Sequence, residues 1–157
     1  MRIGITGHQG LTVDTEKSVR KAIDQLLKDH KPIVGISSLA EGADQIFADA
    51  VVEQDGQLEV ILPCDQYETT FANPSDFEHF ARLRVLARKV TQLEFAEPSE
   101  EAYWAAGREI VNSSDLLVAV WNGQHSQGLG GTGDVVKYAQ VLGKEVEIVW
   151  PENAARK

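Results

Sequence analysis

Residues 121–139 read Trp-Asn-Gly-Gln-His-Ser-Gln-Gly-Leu-Gly-Gly-Thr-Gly-Asp-Val-Val-Lys-Tyr-Ala and join an apolar run, Leu116 to Val120, to a segment with helical spacing. Gly128, Gly130, Gly131 and Gly133 can take backbone angles closed to other residues. Their N–H groups can therefore converge on an anion at the positive end of the helix that follows. The chemistry predicted is a phosphate cradle built from the backbone of Gly130, Gly131 and Thr132, the Thr132 hydroxyl adding a donor or capping the helix. A plain tight connection between strand and helix uses the same residues.

Two earlier turns carry related signals: Gly7-His8-Gln9-Gly10, and Ser37-Ser38-Leu39-Ala40-Glu41-Gly42-Ala43-Asp44. Gly7 permits close approach of a ligand. His8 either donates to phosphate, stacks on a base or serves as a structural hydrogen-bonder. Ser37, Gly42 and Asp44 join the site if the second strand adjoins the first, while Ser38 with Glu41 reads as a helix cap and Gly42 as a point of close helix–sheet packing. Trp121, beside Asn122 and Gly123, stacks on a base or ribose, or is a core aromatic. Asp134 contacts a ribose, or only favours the helix dipole from the first turn.

The elements that must position these residues are legible from periodicity. Apolar runs recur at Ile3 to Thr6, Pro32 to Ile36, Leu58 to Leu62, Val90 to Phe95, Leu116 to Trp121 and Val146 to Val149. Between them lie helical stripes, Val19, Ala22, Ile23, Leu26 and Leu27 in the first helix and Ala43, Ile46, Phe47, Ala50 and Val51 in the second. Asp14, Ser38 with Glu41, Ser75 with Glu78, and Ser99 are the expected helix starts. Alternation of this kind predicts an α/β fold: a Rossmann-like three-layer sandwich with a mostly parallel sheet, helices on both faces and ligands at the carboxyl ends of the strands. Pro63 to Pro74 is a longer connection at that edge, either a lid or a packed loop whose aromatics bury against the next helix.

The 157 residues, 43% hydrophobic, suit one domain over 1–152, with 153–157 as a solvated tail. A net charge of −9 disfavours wrapping a nucleic acid backbone, whose affinity comes from Lys and Arg. No leader and no membrane-spanning run is expected, so the cytoplasm is the expected compartment. The one cysteine, Cys64, excludes an internal disulfide, and His8, His30, His79 and His125 lack paired metal-ligand spacing.

On these residues the chain resembles the SLOG superfamily of Rossmann-like nucleotide-binding proteins, which includes the DprA/Smf and LOG proteins. The resemblance is carried by Gly4-Ile5-Thr6-Gly7-His8, by Gly35-Ile36-Ser37-Ser38-Leu39-Ala40-Glu41-Gly42-Ala43-Asp44, and by Ser114-Asp115 leading through Val120-Trp121-Asn122-Gly123 to Gly130-Gly131-Thr132. It implies a parallel sheet, often a homodimer, and a site for an AMP-like or ADP-ribose-like ligand, many members being sensors rather than enzymes.

LOG enzymes carry a catalytic glutamate three residues after the glycine-rich threonine; Val135 stands there, on an apolar stripe with Tyr138, Ala139 and Leu142. Relatives with the Gly-His opening often follow it with arginine, and Gln9 stands there. The reading is therefore binding or sensing of a nucleotide without turnover. Two alternatives stay open: a nucleoside-phosphate N-glycosidase or deoxyribosyltransferase-like enzyme in which Asp134, Arg108 or Glu68 replaces the glutamate, and an interaction module with an empty pocket.

Overall fold

A computed structural model of the chain describes residues 1–125 and 128–157. In chain order the elements are β1 (Arg2–Gly7), α1 (Val13–Lys28), β2 (Val34–Ser37), α2 (Ala43–Glu53), β3 (Gln57–Leu62), a 3-10 turn (Tyr67–Thr70), α3 (Pro74–Leu86), β4 (Lys89–Gln92), α4 (Glu100–Asn112), β5 (Leu116–Val120), α5 (Thr132–Val141) and β6 (Glu145–Ile148). The strands form one sheet in the order β4-β3-β2-β1-β5-β6, and every pairing is parallel. The sheet is thus wholly parallel rather than mostly so. The chain runs outward from β1 to β4, then returns to β5 on the other side of β1. That reversal puts the topological switch point between β1 and β5, where open sheets of this type leave a crevice.

The alternation of the strands sorts side chains to two faces. Ile3 and Ile5 of β1, with Leu116, Val118 and Val120 of β5, pack on Val19, Ile23 and Leu27 of α1 and on Phe47 and Val51 of α2. The opposite face carries Ile36, Ile61 and Leu117 against Ala106, Ile110 and Val111 of α4 and Val135 and Ala139 of α5. A third cluster, around Leu58, Val60 and Leu62, receives Phe80 and Leu83 of α3. Helices thus cover both faces, as a parallel sheet requires.

Several boundaries differ from expectation. The α1 cap is Thr12, whose side chain accepts from Thr15 N, not Asp14. Residue Gly42 occupies the α2 cap position, with no side-chain bond. Ser38 and Glu41 form no capping box: Glu41 accepts from the Gly10 N–H at 3.1 Å, and Ser38 Oγ has no partner. Asn73, followed by Pro74, caps α3 in place of Ser75; Pro at the first helical position makes that the better start. Ser99 caps α4 as expected, accepting from Ala102 N at 3.0 Å. β4 ends at Gln92 instead of reaching Phe95. Leu142, expected on the apolar stripe, is exposed beyond the end of α5.

Residues 153–157 are not a loose tail. Thr12 N donates to Ala155 O at 3.1 Å, Lys157 N to Gly10 O at 2.6 Å, and Ala155 N to Thr15 Oγ1 at 2.8 Å. The segment is stitched to the loop between β1 and α1. Among the described residues no helix is long and apolar enough to cross a membrane.

Candidate functional site

A cleft of about 950 Å³ opens at the carboxyl ends of the strands. Its volume is at the upper end of what small-molecule sites occupy. Its walls come from the end of β1 and the turn after it (Ile5 to Gln9), from Ser38, Ala40, Glu41 and Asp44 after β2, from residues of the 63–76 connection after β3, from one face of α4 (Tyr103, Ala106, Gly107, Ile110), and from the turn leading into α5. Of the residues singled out in the sequence, Gly7, His8, Asp44, Asn122, Gly130, Gly131 and Thr132 line it together.

The switch point is organised by His8. Its backbone N–H donates to Val120 O at 3.0 Å, and its ring Nε2 accepts the Asn122 N–H at 3.1 Å. An accepting Nε2 carries no proton, so the ring is neutral with its proton on Nδ1. Burial, reinforced by the nearby Arg156 charge, lowers its pKa, in agreement with a neutral ring. The ring also meets Trp150 edge-on at 5.6 Å. Gly7 beside it is required by packing, because a Cβ there would stand 2.4 Å from Ala43 Cβ and 2.9 Å from Val120 Cβ.

In the glycine-rich turn, the positive angles fall at Gly128 (φ 88°) and Gly130 (φ 85°), whereas Gly131 has φ −71° and Gly133 lies in α5. A side chain at Gly130 would press on the Trp104 backbone N at 2.8 Å, so the turn lies directly on α4. The Gly130 N–H is already engaged, donating to Asp134 Oδ2 at 3.1 Å. Gly131 and Thr132 N–H have no acceptor among the described residues, and they stand at the positive end of α5. The cradle is therefore narrower than the sequence suggests. Ser126 and Gln127 of this turn lie outside the described residues.

Four singled-out residues stand outside the cleft lining. Ser37 is fully buried, its Oγ accepting Leu39 N–H at 3.0 Å and donating to Asp44 O at 3.3 Å. Gly42 (φ 93°) sits against the His8 carbonyl, where a Cβ would approach to 2.6 Å. Trp121 turns its indole N–H to Gln124 O at 2.8 Å. Asp134 braces the glycine turn, as described. Their geometry accounts for the shape of the walls.

The replacements weighed for the catalytic glutamate also stand outside the cleft lining, whereas the position they would replace does not. Val135 lines the cleft and is buried, facing Gly107. Arg108 lies over the Trp104 ring, 5.4 Å from its centroid, and Glu68 is exposed; neither lines the cleft. The carboxylates that do line it are Glu41, Asp44 and Asp76. Of the two roles weighed for the 63–74 connection, packing holds: Tyr67 is buried and meets Phe71, Phe80 and Tyr103 at 5.6 to 6.4 Å. Pro63, Tyr67 and Phe71 thereby form an apolar wall.

Arg156 is the functional candidate that sequence reasoning missed. The stitched terminal segment carries it to the cleft, where its Nε donates to Gln9 O at 3.2 Å. No carboxylate pairs with it among the described residues. No signal in the sequence links position 156 to the first turn, because the contact is made by tertiary folding alone.

No protein-family model and no curated protein sequence matches the chain. Solved structures do. DNA processing protein A from Streptococcus pneumoniae matches with a TM-score of 0.70 at 16% identity, over 97% of this chain and 51% of that one. The chain thus spans about half the length of that protein. DNA processing protein A from Helicobacter pylori, described with its single-stranded DNA binding mode, matches with a TM-score of 0.72 at 16% identity, over 99% of this chain and 68% of that one. The molybdenum cofactor binding protein from Rippkaea orientalis matches with a TM-score of 0.59 at 20% identity, over 94% and 74%. At these identities the likeness is one of fold: the chain shares the Rossmann-like α/β fold of these proteins.

Proposed function

We propose that the cleft binds a nucleotide or nucleotide-derived phosphate ligand, AMP-like or ADP-ribose-like, and does not turn it over. The observation that carries this reading is that Gly131 and Thr132, at the amino end of α5, and Arg156 line one cleft at the carboxyl ends of the strands. Backbone amides, a helix end and an arginine together are anion-binding chemistry. Absence of turnover rests on Val135, an apolar side chain where the glycosidase reaction would need a carboxylate. Asp134, Arg108 and Glu68, the replacements the sequence offers, do not line the cleft. Fold relatives with described ligands, a single-stranded DNA and a molybdenum cofactor, are compatible with a site for phosphate-bearing compounds.

The test is thermal unfolding with AMP, GMP, ADP-ribose, NAD and cyclic dinucleotides. Ligand at about 100 times its Kd stabilises by about 2.7 kcal/mol, enough for a midpoint rise of roughly 5 to 10 °C. Gly131→Asp places a carboxylate at the cradle and is expected to abolish the rise. An unchanged rise in that variant would refute the cradle, and no rise with any compound would favour an interaction module. Dimerisation, a cytoplasmic setting and poor affinity for long nucleic acids belong to the same proposal. Sedimentation and titration with a single-stranded oligonucleotide test the first and last.

A further inference from the structure

The turn after β2 holds polar groups that the fold leaves unused. Ser38 is 8% exposed and its Oγ has no hydrogen-bond partner. Asp44 is 9% exposed; its Oδ2 takes the Ala40 N–H at 3.2 Å, while Oδ1 has no protein partner and is not sealed off. Both residues line the cleft. A buried hydroxyl without a partner and a buried carboxyl without a cation each cost stability. Burial pushes the Asp44 carboxyl up to about 7, which expresses the same cost. Native proteins tolerate such groups where a ligand satisfies them.

The chemistry of that ligand part is restricted. It is not an anion, because Glu41, Asp76 and Asp44 all bring carboxyl groups to the cleft lining and no cation pairs with Asp44 among the described residues. It offers hydrogen-bond donors to a carboxyl oxygen and an acceptor to a serine hydroxyl, which a vicinal pair of sugar hydroxyls does. The β2 turn and the α5 turn line the same cleft, and β2 and β5 flank β1, so a ribose 5-phosphate can lie with its sugar at the first turn and its phosphate at the second.

Resting on the nucleotide reading above, we infer that the β2 turn is a sugar-recognition subsite: Asp44 and, after rotation about its Cα–Cβ bond, Ser38 bind the ribose hydroxyls of a ribonucleotide whose phosphate lies at Gly131, Thr132 and Arg156. The cleft then selects ribonucleotides over deoxyribonucleotides. Selectivity comes from buried polar groups that a missing hydroxyl leaves unsatisfied.

Calorimetric titration of the wild type, Asp44→Asn and Ser38→Ala with AMP and GMP and with their 2′-deoxy and 3′-deoxy counterparts tests this. The wild type is expected to prefer a ribonucleotide over at least one deoxy form about tenfold, as one lost hydrogen bond dictates. Asp44→Asn and Ser38→Ala are expected to shrink that preference to about twofold or less, with deoxynucleotide affinity nearly unchanged. Equal losses for ribo and deoxy forms would overturn the inference and assign the turn to the base. A wild type that binds both forms alike would also overturn it while leaving the nucleotide reading intact. A wild type that binds no nucleotide removes the reading and the inference together. Circular dichroism and the unfolding midpoint of each variant verify that it folds.

Discussion

Arg156 is the one guanidinium lining the cleft among its described residues, in a chain whose net charge is −9. Its effect is local. It helps to lower the His8 pKa, behind the larger influence of burial, and so keeps the ring neutral and accepting from Asn122. Arg156→Ala is expected to weaken nucleoside monophosphates by about 1.5 to 3 kcal/mol, the worth of hydrogen bonds to a charged group, and to leave the unphosphorylated nucleoside unaffected. Titration with AMP and adenosine in parallel measures it; equal losses for the two would contradict a phosphate role. The same variant should raise the His8 pKa, which proton NMR of the ring reads directly. Position 156 was unreadable from sequence because an arginine near a chain end has no local pattern that says what it faces. Gly131 and Thr132 were readable, since strand, glycines and helix are adjacent in the chain.

At the scale of elements, local chemistry fixed most of the architecture. Val19, Ile23 and Leu27, spaced by four, are all buried on one side of α1. Ser99, just ahead of Glu100 and Glu101, caps α4, and α4 carries Tyr103, Ala106, Gly107 and Ile110 along the cleft. Ser99→Ala is expected to cost about 1 kcal/mol and lower the midpoint by roughly 2 to 4 °C. Thermal unfolding checks it, and an unchanged midpoint would mean that α4 is held by packing alone. The caps that sequence misjudged share one cause. Asp14, Ser38 and Ser75 each have a competitor within four residues, and only backbone angles choose between them: Thr12 and Asn73 are extended, as a cap requires, and Gly42 takes φ 93°. Freed from capping, Glu41 reaches across to Gly10 and ties the first two turns together.

For the molecule as a whole, two carboxyls set opposing pH dependences. Glu59 is held down to about 2, chiefly by its hydrogen bonds from Arg2 and also by Arg88. Its stabilisation is full above its ordinary value of 4.5 and is lost as pH falls towards 2. Asp44 runs the other way. Its folded value of about 7 exceeds the ordinary 3.8, so the folded state binds the extra proton and stability declines as pH rises from about 4 to 7. The pair predicts greatest stability near about pH 4, where the two slopes cancel between the ordinary values 3.8 and 4.5, and the decline above that is opposed only by His8, whose lowered pKa favours folding as pH rises through about 6.5. Asp44→Asn should remove the decline, stabilising by up to about 4 kcal/mol at pH 8 and by little at pH 4. Midpoints measured at both pH values decide it, and an equal shift at each would sink the argument. The sequence by itself determined the alternation of strand and helix, the faces they bury and the three turns at one sheet edge, because periodicity, caps and glycines act over a few residues. Only the tertiary structure decided that Ser37 and Trp121 turn away from the cleft, that Asp134 takes the Gly130 N–H, and that Asp44 is buried without a cation. It also brought Arg156 beside Gln9, 147 residues earlier in the chain. Those outcomes depend on what approaches from distant elements, and no spacing within a segment encodes that approach.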